Sequence, residues 1–404
     1  MHLWSVVACD QYTAQPDYWE RLEEQVGEAP SALHLILPEN KLSQPDVAAR
    51  IQAIDHTMAE YLDRELFREC TDGMIYVERT LSNGLIRRGL VGSIDLEAYE
   101  FAPGNQAMIR ATEGTVLSRL PPRVAVRENA PLELPHVMLL MDDPQDSVMG
   151  HLAGERDRME PVYDFDLMEQ GGHVKGWLLH EEQMKHTADT MRALSDPEAF
   201  RKKYHLDGEE APMLFAVGDG NHSLATAKAC WDRLKREGAG PDHPGRYALV
   251  EVNSLHDPAL DFEAIHRVMF HVDPQELLDE LKRHFPSAVE GEDWGHVLNY
   301  AYGSVRGCIT VTEPEAQLTV GTLQDFLDGY LEGHPQAEID YIHGGEVALR
   351  LAEGEDAVAF LLPPMEKDEL FPTVIHDGAL PRKTFSMGEA QDKRFYLEAR
   401  RIQP

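Results

Sequence analysis

The chain has 404 residues, 43% of them hydrophobic, and carries a formal net charge of −34 with an isoelectric point near 4.8. That length suggests two or three domains, or one core with large insertions, and the apolar content is enough for real cores. So acidic a surface repels nucleic-acid phosphates, which argues against a nucleic-acid partner and makes local basic groups stand out as anion ligands.

The cysteines Cys9, Cys70, Cys230 and Cys308 are scattered without a Cys-x-x-Cys pair, so neither a cysteine zinc site nor a disulfide framework is expected. The N-terminus has no basic flank, and no stretch approaches membrane-spanning length. A reduced, cytoplasmic protein with no membrane partner is the expectation.

In chain order, Ser5 to Cys9 reads as a short apolar strand, Asp17 to Val26 as an amphipathic helix, and Leu33 to Leu37 as a second buried strand. Gln44 to Phe67 reads as one long helix with Pro45 suited to its first turn. Met74 to Thr80 and Leu85 to Leu96 are predicted strands joined by Ser82-Asn83-Gly84, a strong hairpin signal. Ile109 to Arg123 alternates charged and hydroxyl residues and closes on Pro121-Pro122. Composition alone fits a solvated edge, but Arg110, Glu113, Arg119 and Arg123 gather there in an otherwise acidic chain.

His136 to Met141 is a predicted strand, and Asp142 to Val162 a loop or helix. His180 and His186 are six apart, on different helix faces, so that segment reads as a surface helix and not a zinc site. A short helix over Asp196 to Tyr204 leads to an apolar run, Met213 to Val217, that reads as a buried strand. After it Leu224, Ala227, Trp231 and Leu234 fall on one helical stripe.

Between that strand and helix lies Gly218-Asp219-Gly220-Asn221-His222-Ser223. The glycines permit close approach, and the first helical turn offers unpaired N–H groups at the positive end of the dipole. That combination suits an anion, most often phosphate. Lys228, leaning toward the helix N-terminus, is expected to point at the same mouth. The plain alternative is an Asp-Gly turn with Asn221 as helix cap. A dinucleotide fingerprint fits poorly, since Ser223 stands where the third glycine belongs.

Arg246 to Val252 is another predicted strand. The His266-Arg267 pair beyond it either holds an anion or pairs with carboxylates. From His271 to Glu338 residue types suited to catalysis are sparse, which suggests an appended α+β subdomain with a helix over Pro274 to Phe285, a strand over Cys308 to Val311 and a helix over Leu323 to Leu331. Asp340 to Gly344 starts a return to the core, Ala357 to Leu362 is a buried strand, and Leu380 to Gly388, with Lys383 and Thr384, has the makings of an anion nest or a basic surface turn. The expected domains are thus 1–270 with 339–404, and 271–338.

Several segments together resemble the bacterial and archaeal family known as domain of unknown function 1015: Ala8-Cys9-Asp10-Gln11-Tyr12, Arg110-Ala111-Thr112-Glu113-Gly114-Thr115, Gly218-Asp219-Gly220-Asn221-His222, His256-Asp257-Pro258 with Ile265-His266-Arg267, Asp340-Tyr341-Ile342-His343-Gly344, and Leu380-Pro381-Arg382-Lys383-Thr384. The Asp-Gly-x-His turn is similar to the phosphate-binding turn of the ParB and sulfiredoxin superfamily, which includes nucleotide-dependent free-serine kinases. The resemblance implies an α/β protein, a mixed α+β core of the ParB/sulfiredoxin kind with an appended α+β subdomain. It also implies a nucleotide cofactor, ATP or ADP. Many relatives carry His-His-Arg after Asp-Gly; here Asn221-His222-Ser223 stands instead, so Arg119, Arg123 or Lys383 would replace the arginine.

The resulting expectation is nucleotide-dependent phosphoryl transfer to a small hydroxy metabolite such as free serine. A base, positioning and charge neutralisation are what that chemistry needs. Glu113 is the candidate base, and Asp219 binds Mg²⁺ or orients the hydroxyl. His222 and the amides of Asn221 to Ser223 hold phosphate beside Gly218 and Gly220. Lys228, Arg119, Arg123, His266, Arg267, Lys383 and Thr384 complete the anion-binding set, with a homodimer as a further expectation. No Walker A motif occurs, which excludes an ordinary P-loop kinase. A non-catalytic nucleotide- or metabolite-binding regulator and a hydrolase of a phosphorylated metabolite are the alternatives.

Overall fold

The computed structural model describes residues 2–13, 15–70, 73–115 and 117–404. The chain forms two units, residues 1–260 with 388–404, and residues 261–387. The first begins with helices α1 (Pro16–Val26) and α2 (Val47–Asp63) and a hairpin of β1 (Ile75–Thr80) and β2 (Ile86–Asp95). β3 (Tyr99–Glu100), β4 (Ile109–Ala111), α3 (Leu120–Arg127), β5 (Leu132–Glu133), β6 (Met138–Met141) and α4 (Met149–Gly154) follow. Next come β7 (Glu160–Asp166), β8 (His173–Leu178), α5 (Glu181–Leu194), α6 (Pro197–Lys203), β9 (Phe215–Asp219), α7 (Asn221–Arg236) and β10 (Tyr247–Ser254).

Nine of these strands make one mixed sheet in the order β3-β4-β9-β6-β10-β2-β1-β8-β7. β9 runs parallel to β4 and antiparallel to β6. The C-terminal ends of β4 and β9 and the start of β6 therefore lie side by side at one end of these strands. Helix α7 packs its apolar stripe inward: Leu224, Ala227 and Trp231 are buried with Val217 and Leu139 in the main core. The last residues, 388–404, return along this unit; Val7 bridges to Arg394, and Tyr396 Oη donates to the carbonyl of Val137.

The second unit contains β11 (Phe262–Phe270), α8 (Pro274–His284), β12 (Ala288–Glu290), β13 (His296–Tyr302), β14 (Val305–Val311), α9 (Thr319–Gly333), β15 (Glu338–His343), α10 (Gly345–Leu351), β16 (Ala357–Leu361), α11 (Leu370–His376) and β17 (Phe385–Met387). Its antiparallel sheet runs β12-β14-β13-β16-β11-β15, with β17 also on β11. Both units mix helices with sheet, so the molecule is mixed α/β.

Several expectations are corrected. The second unit spans 261–387 and not 271–338, because β15 and β16 pair with β11 and tie 338–361 into its sheet. The apolar run Leu33 to Leu37 is not a strand; Ala32–Leu35 is a 3₁₀ turn whose start is fixed by Ser31 Oγ accepting from the Leu33 amide. Ser5 to Cys9 contributes only the bridge at Val7. Short apolar runs carry no periodicity, and burial alone does not choose the conformation. Pro121 and Pro122 open α3 instead of closing a segment, since a first helical turn needs no N–H donors.

No helix among the described residues is long and apolar enough to cross a membrane. All four cysteines are free thiols.

Candidate functional site

The junction of β9 and α7 is built around two glycines with no room for a side chain. Met138 pairs with Asp219 and Leu139 with Val217, so Gly218 is the extra residue of a bulge, and a Cβ there would lie 2.7 Å from Leu140. Gly220 has φ +81° and caps α7; a Cβ on it would meet the His136 carbonyl at 2.4 Å. No side chain caps this helix. Asn221, the natural candidate, is engaged elsewhere: its Oδ1 accepts from the Thr112 amide at 3.2 Å and its Nδ2 donates to Thr112 Oγ1 at 3.2 Å. Thr112 Oγ1 in turn donates to the Val217 carbonyl. This staple fixes the end of β4 to the start of α7 and places Glu113, the next residue, beside the turn.

Asp219 is held at the start of the helix by three partners. Its Oδ1 accepts from the Gly220 amide at 2.8 Å, and its Oδ2 lies 3.2 Å from Lys393 Nζ and 3.5 Å from His136 Nε2. His136 is oriented by its other nitrogen: Nδ1 sits 2.8 Å from the Arg394 carbonyl, which only accepts, so Nδ1 carries a proton. Burial would raise the Asp219 carboxyl, but the Lys393 charge and His136 outweigh it and hold the group well below the usual carboxylate range. Asp219 is thus an anion already matched.

Those surroundings do not fit Mg²⁺ at Asp219. An ammonium occupies the space beside its outer oxygen, and among the described residues no group of three candidate ligands includes Asp219. The expected metal role of Asp219 is corrected for that reason.

Of the expected site residues, Gly218, Asp219, Gly220, Asn221, His222, Ser223 and Glu113 come together, all in the first unit. Lys228 does not point at the mouth; it is buried, and its Nζ reaches Asp232 Oδ1 at 3.0 Å, one turn further from the N-terminus. Arg123 is paired with Glu39 and donates to the Arg119 carbonyl; Arg119 itself is exposed, and α3, which follows it, packs against α7.

The remaining residues belong to the second unit. Arg267 is fully buried and structural: Nε donates to Gln324 Oε1, Nη1 to the Ile265 carbonyl and Nη2 to the Arg382 carbonyl, with the Tyr341 ring 5.1 Å away. It is not an anion ligand. His266 Nδ1 accepts from the Leu362 amide, and burial and Arg267 lower its pKa. Thr384 Oγ1 caps its own turn on the Pro381 carbonyl, and Lys383, at φ +55°, sits in that turn.

Sequence reasoning missed His136 and Lys393, the two partners of Asp219. His136 was read only as the first residue of a strand, and Lys393 lies in a C-terminal stretch with no motif.

The chain belongs to the family described as protein of unknown function (DUF1015), which matches residues 1–351. No curated protein matches the sequence. Among solved structures, a free serine kinase in complex with AMP is similar at 13% identity, with a TM-score of 0.39, over 78% of this chain and 91% of that one. SbnI with a C-terminal truncation, from Staphylococcus aureus, is similar at 10% identity and a TM-score of 0.38, over 74% and 82%. A conserved hypothetical protein from Pyrococcus furiosus is similar at 13% identity and a TM-score of 0.36, over 74% and 90%.

Proposed function

We propose that this member of the DUF1015 family binds a nucleotide by its phosphates at the start of α7 and transfers a phosphoryl group to a small hydroxy metabolite. One observation carries the reading: the uncapped first turn of α7 is crowded by two glycines, while the one carboxylate in the turn is drawn off by Lys393, His136 and the Gly220 amide. The repulsion that Asp219 would exert on phosphate is thereby cancelled. The first turn then offers its N–H groups and the helix dipole, with His222 in the same turn.

In this reading Glu113 is the base for the attacking hydroxyl, since it follows the Thr112–Asn221 staple directly. Asp219 acts as a positioning residue that sets the turn. Arg119 supplies charge from the neighbouring loop. Lys383 and Thr384 lie in the second unit. A ParB/sulfiredoxin-like core belongs to the same proposal, with free serine as the first acceptor to test.

Pairing of Asp219 with Lys393 favours a second reading, nucleotide binding without turnover, because an ammonium already stands where a cation would meet that carboxylate. The experiment that tests both is incubation of the full chain with ATP or ADP and serine, scored for phosphoserine, beside equilibrium titration of each nucleotide. Binding with product that Glu113→Gln abolishes supports the enzyme. Binding without product supports the regulator, and absence of binding removes both.

A further inference from the structure

A second polar centre lies on the same sheet, where Glu251 borders His136. Arg79 of β1 and Arg87 of β2 stand directly opposite each other across the hairpin, and each is only 5% exposed. Two like charges in that register repel, and burial adds to the cost. Yet among the described residues Arg79 Nε and Nη2 have no hydrogen-bond partner, nor does Arg87 Nε. Nε and Nη2 form the side-on edge of a guanidinium, the fork that takes a carboxylate or phosphate through two parallel bonds. Burial and the Arg87 charge pull the Arg79 pKa down to about 9, although Glu251 and Asp392 act against the fall.

The neighbours define what is missing. Arg87 Nη2 reaches Glu251 Oε2 at 3.2 Å, and Glu251 Oε1 accepts from Asn253 Nδ2 at 3.0 Å. Gly89 is required beneath this pair, since a Cβ there would lie 2.3 Å from Glu251 Oε1. Asn253 Nδ2 also donates to the Arg88 carbonyl, so the amide orientation is set by two acceptors, and its Oδ1 is left without a donor among the described residues. Asn253 is fully buried. The C-terminal return adds Arg394, whose guanidinium is spent on the neutral carbonyls of Ser5, Gln391 and Glu169, and Asp392, which is held by Ser82.

We propose that Arg79 and Arg87 form a binding site for the carboxylate of a small hydroxy- or amino-carboxylate, whose hydroxyl or ammonium is received by Asn253 Oδ1. The fork supplies donors for the oxyanion, and Asn253 supplies an acceptor for a polar hydrogen on the same molecule. Charge selects carboxylate over phosphate. Arg79, Arg87 and Arg394 are met by Glu251 and Asp392, which leaves one positive charge for a monoanion. Glu398, beside Tyr163 Oη at 2.7 Å, is pushed up to about 7 by burial and so carries only part of a negative charge near neutral pH. The inference stands on these residues and does not depend on phosphate at the α7 turn.

The test is calorimetric titration of the full chain with L-serine, D-glycerate, acetate and inorganic phosphate in turn, and the same titrations on Arg79→Lys. Saturable binding of serine or glycerate, weaker binding of acetate, and a loss of tenfold or more in Arg79→Lys are expected, because lysine keeps the charge and lacks the fork. Nucleotide affinity of Arg79→Lys should equal that of the wild type, which keeps this result separate from the turn. Melting of ligand-free Arg79→Met gives a second readout: a temperature unchanged or raised is expected of a fork kept for a ligand. No saturable carboxylate binding, equal affinity in Arg79→Lys, preference for phosphate, or a clear fall in the ligand-free melting temperature of Arg79→Met would each overturn the proposal.

Discussion

Two buried arginines, one in each unit, separate scaffold from site. Arg267 in the second unit is completely enclosed, and Nε, Nη1 and Nη2 each donate to a named oxygen. Arg79 in the first is almost as enclosed, and its side-on edge donates to nothing among the described residues. Burial of a charge is costly in both places, but only for Arg267 is it offset by hydrogen bonds from Nε and both Nη atoms. A charged group that is buried and satisfied holds the fold together; one that is buried and unsatisfied is kept for something else.

The largest test of this contrast is a matched pair of substitutions. Arg267→Met strands two carbonyls and an amide oxygen, and should cost roughly 3 kcal/mol or more, read as loss of hydrogen-exchange protection along β11. Arg79→Met should fall within about 1 kcal/mol of the wild type, since removing a buried, unmatched charge is often neutral or stabilising. Equal losses would erase the distinction.

Asp219 gives the next effect. Asp219→Asn leaves Lys393 without its counter-ion and should cost about 2 kcal/mol, reduced from the fully buried case by the residual exposure of both side chains. The sign with pH follows from the depressed carboxyl. Its contribution is complete above the ordinary value of 3.8 and is lost as pH falls below that value toward the folded one, so the variant should show a shallower acid limb in urea unfolding.

Glu398 acts in the opposite direction. Its folded pKa of about 7 lies above the ordinary 4.5, so its stabilisation is full below about pH 4.5 and is lost as pH rises through 7. Glu398→Gln can keep a hydrogen bond to Tyr163 and should flatten unfolding stability between those limits. The smallest effect belongs to Lys228. Asp232→Asn should change stability by less than about 0.5 kcal/mol, as for other i,i+4 pairs, and leave nucleotide affinity untouched, because Lys228 faces away from the mouth.

The α7 turn was legible because its parts are adjacent in sequence: a buried strand, two glycines and a helical stripe at Leu224, Ala227 and Trp231. What set the role of Asp219 was not, because His136 and Lys393 arrive from β6 and the C-terminal return, and one sequence carries no sign of that meeting. Arg79 and Arg87 were within reach. Once Ser82-Asn83-Gly84 is read as a hairpin turn, Thr80 pairs with Ile86 and the two arginines fall opposite each other, a like-charge pair that calls for an anion. The His266-Arg267 pair misled for the converse reason. Basic residues next to each other look like a site, yet β11 sends Arg267 into the interior of its unit. The second-unit boundary was misplaced because sparse polar motifs say nothing about strand pairing, and β15 and β16 return to β11.

The central claim is that a nucleotide phosphate rests on the first turn of α7 with His222 as a donor. Calorimetric titration of ADP and ATP into the wild type and His222→Ala tests it most directly. The account predicts saturable binding by the wild type and a loss of about 1–3 kcal/mol in the variant, the range for a hydrogen bond to a charged group. Equal affinity in the two proteins, or no binding in either, would contradict it and leave the turn a structural junction between β9 and α7.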